Sequence, residues 1–332
     1  MKLAPDWIAR MVASIEASPH DVACIASRIL NWDGTSIDYL KGEMTFNGMG
    51  LQPGYGARLD SPEAQRHADE VLFACGGAML IKREVFLEVG GFDEDYFAYY
   101  EDVDLGWRLW TLGHRVRFCP EAVVYHLHNG TSKRFDWWKK TVLFERNALC
   151  SVIKNYEDAS LATIWPAALL LASKRIAVRA GVDRDAFRFG PTPPPIAATP
   201  AEPTSGLRKL RANLSRIGLK GTLQKASVLL ARKVLARWGT PADAPQETVQ
   251  IPCEAYAGLV GLEDVIDLLP RMLAKRREIQ AKRKRSDAEI AALFGDAFMP
   301  IEGRGDYIPA HWQVVRELDL PAILSQSEEA AR

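Results

Sequence analysis

The chain has 332 residues, enough for one large domain or two ordinary ones, and its 48% hydrophobic content can build a sizeable core. A net charge of +0 hides an asymmetry: acidic residues are plentiful as far as about Asp104, while residues 271–285 gather eight Lys and Arg against Glu278 alone. Five scattered cysteines, with no CxxC pair and no Cys/His cluster, argue against a disulfide framework and a zinc site and fit reduced thiols in a cytosolic compartment.

In chain order, residues 5–17 read as a helix. Trp7, Ile8, Met11, Val12 and Ile15 share one face, and Pro5 suits the first turn. Residues 21–30 read as a buried strand, with Asp33 and Gly34 as a turn signal. Residues 42–58 are glycine-rich and read as a loop. Residues 71–82 read as a strand interrupted by Gly76 and Gly77, which marks a bulge or a close backbone approach to a ligand. A short helix at 83–89 is stopped by Gly90 and Gly91. A helix at 101–112 follows, then strands near 115–118 and 122–125. Asp136 is placed to cap a long helix reaching about Tyr156.

Beyond residue 157 the composition changes. Residues 161–180 join an apolar half to Lys174, Arg175 and Arg179. The longest uncharged run there, 159–173, contains Pro166 and falls short of the roughly 20 apolar residues a bilayer span needs. The first residues, MKLAPDWIARM, are polar and carry no apolar signal core. Residues 191–203 and 241–252 read as linkers, 207–238 as a basic helical region, and 262–298 as helical and basic. Ser286 and Glu289 have capping-box spacing. The expected divisions are 1–157, an amphipathic segment at 158–190, a Pro-rich linker at 191–206 and a basic helical region at 207–332. Basic helices beside an apolar stretch suit an anionic membrane surface, with a merely solvated basic face as the plain alternative. No nucleic-acid module accompanies them, so nucleic acid is not an expected partner.

Chemistry concentrates between Cys75 and His128. Glu101, Asp102 and Asp104 sit at a helix start, where the helix dipole favours negative charge. A purely structural reading has support, because Asp104 and Arg108 have the i, i+4 spacing of a helical ion pair. Phe92, Tyr96, Phe97, Tyr99 and Tyr100 crowd the approach. Rings with polar tips suit a sugar site, though core packing explains some of them equally well. His126 ends an apolar strand, and His128 would point to the same side. A lone histidine at a strand end is more often a hydrogen-bonding residue than a ligand.

The order of these features resembles the acceptor half of inverting family 2 glycosyltransferases of GT-A fold, of the bacterial rhamnosyltransferase type. Gly76 and Gly77 match the family's glycines. The run from Tyr100 to Leu105 matches its acidic motif, Arg108 the trailing arginine, and His126 the strand histidine. Glu145, Arg146, Asn147 and the run Lys154, Asn155, Tyr156 resemble the helix that follows. The resemblance implies an α/β chain: a partial GT-A domain over 1–157, then a mostly helical tail. It implies sugar transfer from a nucleotide-sugar donor to a saccharide or lipid-linked acceptor, with Asp102 as general base supported by Glu101. Gly76, Gly77, Tyr100, Asp104 and Arg108 would contact substrate, and His126 would assist a divalent Mg or Mn ion.

Against the family pattern, the donor-binding half with its DxD motif is not found ahead of Gly76. Asp93 to Asp95 and Asp102 to Asp104 spell DxD, but both follow the glycines, so neither is read as that motif. The expected metal site is therefore incomplete. A non-catalytic fragment, a partner subunit and a peripheral membrane adaptor remain alternatives. The expected location is the cytoplasm or the inner face of the plasma membrane.

Overall fold

In a computed structural model of the chain, the described residues are 1–65, 68–127, 136–182, 187 and 249–325. Met1–Gly181 and Ile251–Arg332 make one unit, and Val182–Gln250 make another. Nearly all of the second unit lies outside the described residues, as do His128, the expected linker at 191–203, the basic helix at 207–238 and most of 241–252.

The first unit opens with β1 (Lys2–Leu3), α1 (Trp7–Glu16) and β2 (Val22–Asn31). Short pieces follow: β3 (Ile37–Tyr39), β4 (Glu43–Met44), β5 (Gly50–Leu51), α2 (Pro62–Gln65), β6 (Met79–Ile81) and α3 (Arg83–Glu88). Then come α4 (Glu101–Thr111), β7 (Arg115–His126), α5 (Trp137–Asn155) and α6 (Asp158–Ala180). After the second unit the chain returns as α7 (Cys253–Ala281), α8 (Asp287–Ala291), α9 (Tyr307–Glu317) and α10 (Leu320–Ser325). The architecture is α/β.

β2 is the central strand of a mixed sheet. It runs parallel to β7 on one side and antiparallel to β6 and β3 on the other, and β1 adds to the far edge of β7. Its near-continuous apolar sequence fits burial on both faces, and Ala23, Cys24, Ile25, Ala26, Ile29 and Leu30 are all core residues. Each fully buried isoleucine of this kind contributes about 1.5–3 kcal/mol. β7 is continuous where two strands were expected. Ser27 pairs with Cys119 but Arg28 with Val123, so residues 120–122 form a bulge. Pro120 has no N–H to give a ladder, and a bulge is where a strand tolerates it.

The strand expected over 71–82 is corrected to the three residues of β6. Ahead of it the chain turns, with Ala78 N–H donating to Cys75 O at 3.0 Å. Gly76 and Gly77 stand in that turn, exposed, rather than inside a strand.

α5, α6 and α7 pack together, and α5 packs against α4. α6 has 23 residues, its most apolar 18-residue window has a mean hydropathy of 1.4, and by length and composition it is long and apolar enough to cross a membrane. One face of it, with Ile164, Ala168 and Leu171, is packed inside the unit. Arg175 on α6 is buried and forms an ion pair with the buried Glu145 on α5, through Nε and Oε1 at 3.0 Å. The expected boundary at 157 falls in the short connection between α5 and α6.

The basic run at 271–285 is largely engaged by the protein's own acceptors. Arg271 and Lys275 reach the Asp95 carboxylate at 2.6 and 2.7 Å. Arg276 is buried and donates to Ile153 O at 2.7 Å, and Arg285 donates to Trp110 O and His114 O at 3.0 and 2.7 Å. The capping box at Ser286 and Glu289 forms and starts α8.

Candidate active site

α4 carries the acidic cluster, and its seating is tight. A Cβ on Gly106 would lie 2.4 Å from Phe73 Cβ and 2.6 Å from Leu72 O. Only glycine lets the helix rest directly on the 72–73 backbone, which brings its first turn against the 75–78 turn.

There Gly76 N–H donates to Asp102 Oδ2 at 2.9 Å, and Val103 N–H donates to Asp102 Oδ1 at 2.9 Å. Both carboxylate oxygens are therefore oriented by backbone. Burial raises the Asp102 carboxyl, and the donated N–H groups of Gly76 and Val103 oppose that rise. Glu101, alongside, is half-buried. Its Oε2 is enclosed with no hydrogen-bond partner, and burial followed by the charge of Asp102 pushes its carboxyl up to about 7. An unpartnered buried carboxylate oxygen is costly unless a ligand or proton meets it. Two carboxyls, one fixed and one poised to titrate near neutrality, open beside two exposed glycines.

Asp104 and Arg108 are placed elsewhere, and their expected role in contacting substrate is not reflected in their surroundings. Two residues along an α-helix is a rotation of about 200°, so Asp104 turns into the core where Asp102 turns to the 75–78 turn. It is fully buried, with Arg108 Nε at 2.8 Å, Lys154 Nζ at 2.9 Å and Asn155 Nδ2 at 3.0 Å. The opposing charges of Arg108 and Lys154 overcome burial and hold its carboxyl well below the usual range. Lys154 also bonds Asp93 at 2.6 Å. Arg108 spends its other nitrogens on Val89 O and Gly91 O at 2.6 and 2.8 Å.

The aromatic run divides in two. Tyr96 is core, and Phe92 packs edge-on to Phe86. Tyr99 and Tyr100 lie 4.7 and 5.3 Å from the Phe144 ring on α5, Trp137 adds a further ring at 6.2 Å, and Phe97 is 75% exposed. Tyr99, Tyr100, Phe144 and Trp137 form a cluster of mutually tilted rings next to the start of α4. Gly50 admits it: a Cβ there would be 2.9 Å from Tyr100 Cε1.

His126 ends β7 with Nδ1 3.0 Å from Asp38 Oδ2 on β3. Asp38 and Gly50 were not among the expected site residues, and Asn147 entered only through the resemblance of 145–147 to the family's following helix. β3 is only three residues long and left no periodic signal. Asn147 did leave one, as a polar amide in the interior of a long helix. The Cys75 thiol, pushed up to about 12 by burial, also feels the carboxylates of Asp102, Asp38 and Glu101, which groups the β3 and α4 acids around it.

A divalent ion is implied by the family resemblance. His126 and Asp38 are the right donor types for one, but no group of three or more His, Cys, Asp or Glu that could hold a metal occurs among the described residues. These residues alone do not fit a closed metal site, and no chemical step is assigned to an ion.

Residues 54–142, which contain Gly76, Gly77, the acidic start of α4, Arg108 and His126 but not Asp38, Gly50 or the α5 residues Phe144, Asn147, Lys154 and Asn155, match the profile of "Glycosyltransferase like family 2". The chain is 51% identical over 51 residues to the N-acetylglucosaminyl-diphospho-decaprenol L-rhamnosyltransferase of Mycobacterium tuberculosis, over 15% of this chain and 17% of that protein. It is 37% identical over 86 residues to the rhamnosyltransferase WbbL of Escherichia coli K12, over 24% of this chain and 33% of that one. With the glucosyl-dolichyl phosphate glucuronosyltransferase of Haloferax volcanii it shares 27% over 140 residues, 40% of this chain and 42% of the other. The chain thus spans less than half the length of these relatives in each match. GalNAc-T7 with UDP, GalNAc and Mn2+ overlays at a TM-score of 0.35 and 17% identity, covering 72% of this chain and 40% of that one, a likeness too slight to argue from.

Proposed function

We propose that this chain serves sugar transfer from a nucleotide-sugar donor to a saccharide or lipid-linked acceptor, as the acceptor side of a GT-A site. Asp102 is the general base. The observation that carries this reading is the Asp102 carboxylate fixed by Gly76 N–H at 2.9 Å beside the unpartnered Oε2 of Glu101.

The chemistry follows from that arrangement. An acceptor hydroxyl attacks the anomeric carbon of the donor sugar, the bond from that carbon to the leaving nucleoside diphosphate breaks, and the hydroxyl proton passes to Asp102. A single displacement from the face opposite the leaving group inverts the anomeric centre. The oriented Asp102 limits reorganisation during the transfer. Glu101, able to hold a proton near neutral pH, offers a hydrogen bond to the acceptor. Tyr100, Tyr99 and Phe97 supply ring faces against which a sugar or an isoprenoid chain can lie. Gly76 shapes the site through the N–H it gives Asp102, and Gly77 completes the turn that presents it. The named relatives make rhamnose, carried by a nucleotide, the first donor to try, with a polyprenyl-diphosphate-linked sugar as acceptor.

The test is transfer of labelled sugar by the full chain and its Asp102→Asn variant. Loss of turnover with donor binding retained supports the assignment. Turnover by Asp102→Asn at the wild-type rate sinks it, and absence of both donor binding and transfer in the wild type favours a non-catalytic role.

A further inference from the structure

The carboxylate pair is entered through an unusual backbone. Phe97, Tyr99 and Tyr100 all have positive φ, at 61, 65 and 64°, and Tyr100 is the residue from which α4 starts. Non-glycine residues in this region are strained and persist only where their surroundings over-determine them. The start of the turn is pinned by Tyr96, buried, with its hydroxyl 2.8 Å from Ser151 Oγ.

The main restraint comes from one side chain on another helix. Asn147 is fully buried on α5, and its Nδ2 donates to Tyr96 O at 3.1 Å, Ala98 O at 3.0 Å and Tyr99 O at 2.6 Å. Its Oδ1 accepts from Arg146 Nε at 2.9 Å, and Arg146 NH2 reaches Asp95 O and Tyr96 O at 3.1 and 2.9 Å. Three carbonyls converging on one amide nitrogen fix its orientation, since the amide oxygen could not face them. An aspartate, equal in shape but lacking donors, could not either.

We propose that Asn147 is a positioning residue of the site: it clamps the left-handed turn at 97–100 and so sets where Glu101 and Asp102 stand. The clamp itself is geometry, and its catalytic consequence rests on the transferase reading above. Asn147 touches neither carboxylate. It acts through the backbone, so its loss changes the environment of the acids without removing any of them.

The test compares the full chain with Asn147→Ala and Asn147→Asp. Three quantities are measured: the Glu101 carboxyl titration by carbon-13 NMR, assigned with Glu101→Gln; amide hydrogen exchange; and steady-state transfer. In both variants the Glu101 midpoint should fall from about 7 by about one pH unit as the loosened turn admits water. Exchange should quicken by roughly 100-fold at 97–104 and nowhere else. With transfer measurable, kcat should fall about 100-fold while the donor KM holds. Folded variants with an unchanged Glu101 midpoint and unchanged exchange at 97–104 overturn the proposal.

If Asn147→Ala does not fold, the same measurements are made on Tyr99→Gly combined with Asn147→Ala, because glycine adopts the left-handed backbone without strain. The double variant is compared with Tyr99→Gly alone by titration and exchange, with the same expected and overturning differences, and transfer is not read because the Tyr99 ring belongs to the proposed substrate wall. A wild-type chain that transfers no sugar defeats the transferase reading alone, and the titration and exchange results still decide the clamp.

Discussion

Gly76 donates its backbone N–H to Asp102 across 2.9 Å, joining residues 26 apart in the chain and orienting one oxygen of the proposed base. The bond needs the N–H, not the missing side chain. A Cβ at Gly76 would sit 3.5 Å from Asp102 Cβ, an ordinary contact, and its φ is not positive. Gly76→Ala should therefore retain transfer within a few-fold, whereas Gly76→Pro, which removes the donor, should lower kcat by about 100-fold or more. Steady-state assays of the two variants separate these outcomes, and equal losses would refute the hydrogen-bond argument.

Glu101 should titrate near neutrality. Burial is the larger cause of its rise and the Asp102 charge the next. Removing that charge in Asp102→Asn should lower the Glu101 midpoint below about 7, yet leave it above the ordinary value near 4.3. Carbon-13 NMR of the glutamate carboxyls reads this directly. The sign for stability is also set. A raised carboxyl favours the protonated folded state, so this residue's share of stability declines as pH rises through the interval from the ordinary value to about 7.

Asp104 titrates in the opposite sense. Its folded carboxyl is held low by Arg108 and Lys154. Its contribution is thus fully present above the unfolded value of about 3.9 and is lost as pH falls further, through the folded value. Asp104→Ala leaves Arg108 and Lys154 short of a buried partner and should destabilise the fold by about 3–5 kcal/mol. Urea unfolding at neutral pH measures the loss. Impaired transfer with unaltered stability would instead return Asp104 to a substrate role.

Gly106→Val should be among the most damaging single changes on α4, because its Cβ would meet Phe73 and the Leu72 carbonyl at 2.4 and 2.6 Å. Overpacking of this kind typically costs about 1–3 kcal/mol or more. Backbone has little room to yield here, so a lowered melting temperature and a displaced α4 start are expected together. A fully stable, fully active Gly106→Val chain would show that α4 does not need so close a seat.

Local signals served well wherever local physics governs. The α1 helix, the buried run of β2, the acidic start of α4 and the capping box at Ser286 all need only nearest neighbours along the chain, although of the apolar face of α1 only Met11 is buried. They failed where a partner far away in sequence decides. The expected strand at 71–82 shrank because Gly76 turns its N–H toward α4 instead of a neighbouring strand. The break expected near Pro120 became a bulge because β2 pairs on both sides of it. The basic run at 271–285 looked like an outward face, but Asp95 and the carbonyls at the ends of α4 and α5 take up much of it.

By itself, the sequence determined which side chains could do chemistry and that Glu101, Asp102 and Asp104 share one helix start, since helix caps and periodicity are short-range effects. Only the tertiary structure decided which acids face the site. Burial and ion pairing turned Asp104 inward to Lys154, left Glu101 Oε2 without a partner, and bound the strained turn ahead of them to Asn147. Such choices depend on solvent exclusion and on charges brought together from distant segments, and no stretch of chain carries either alone.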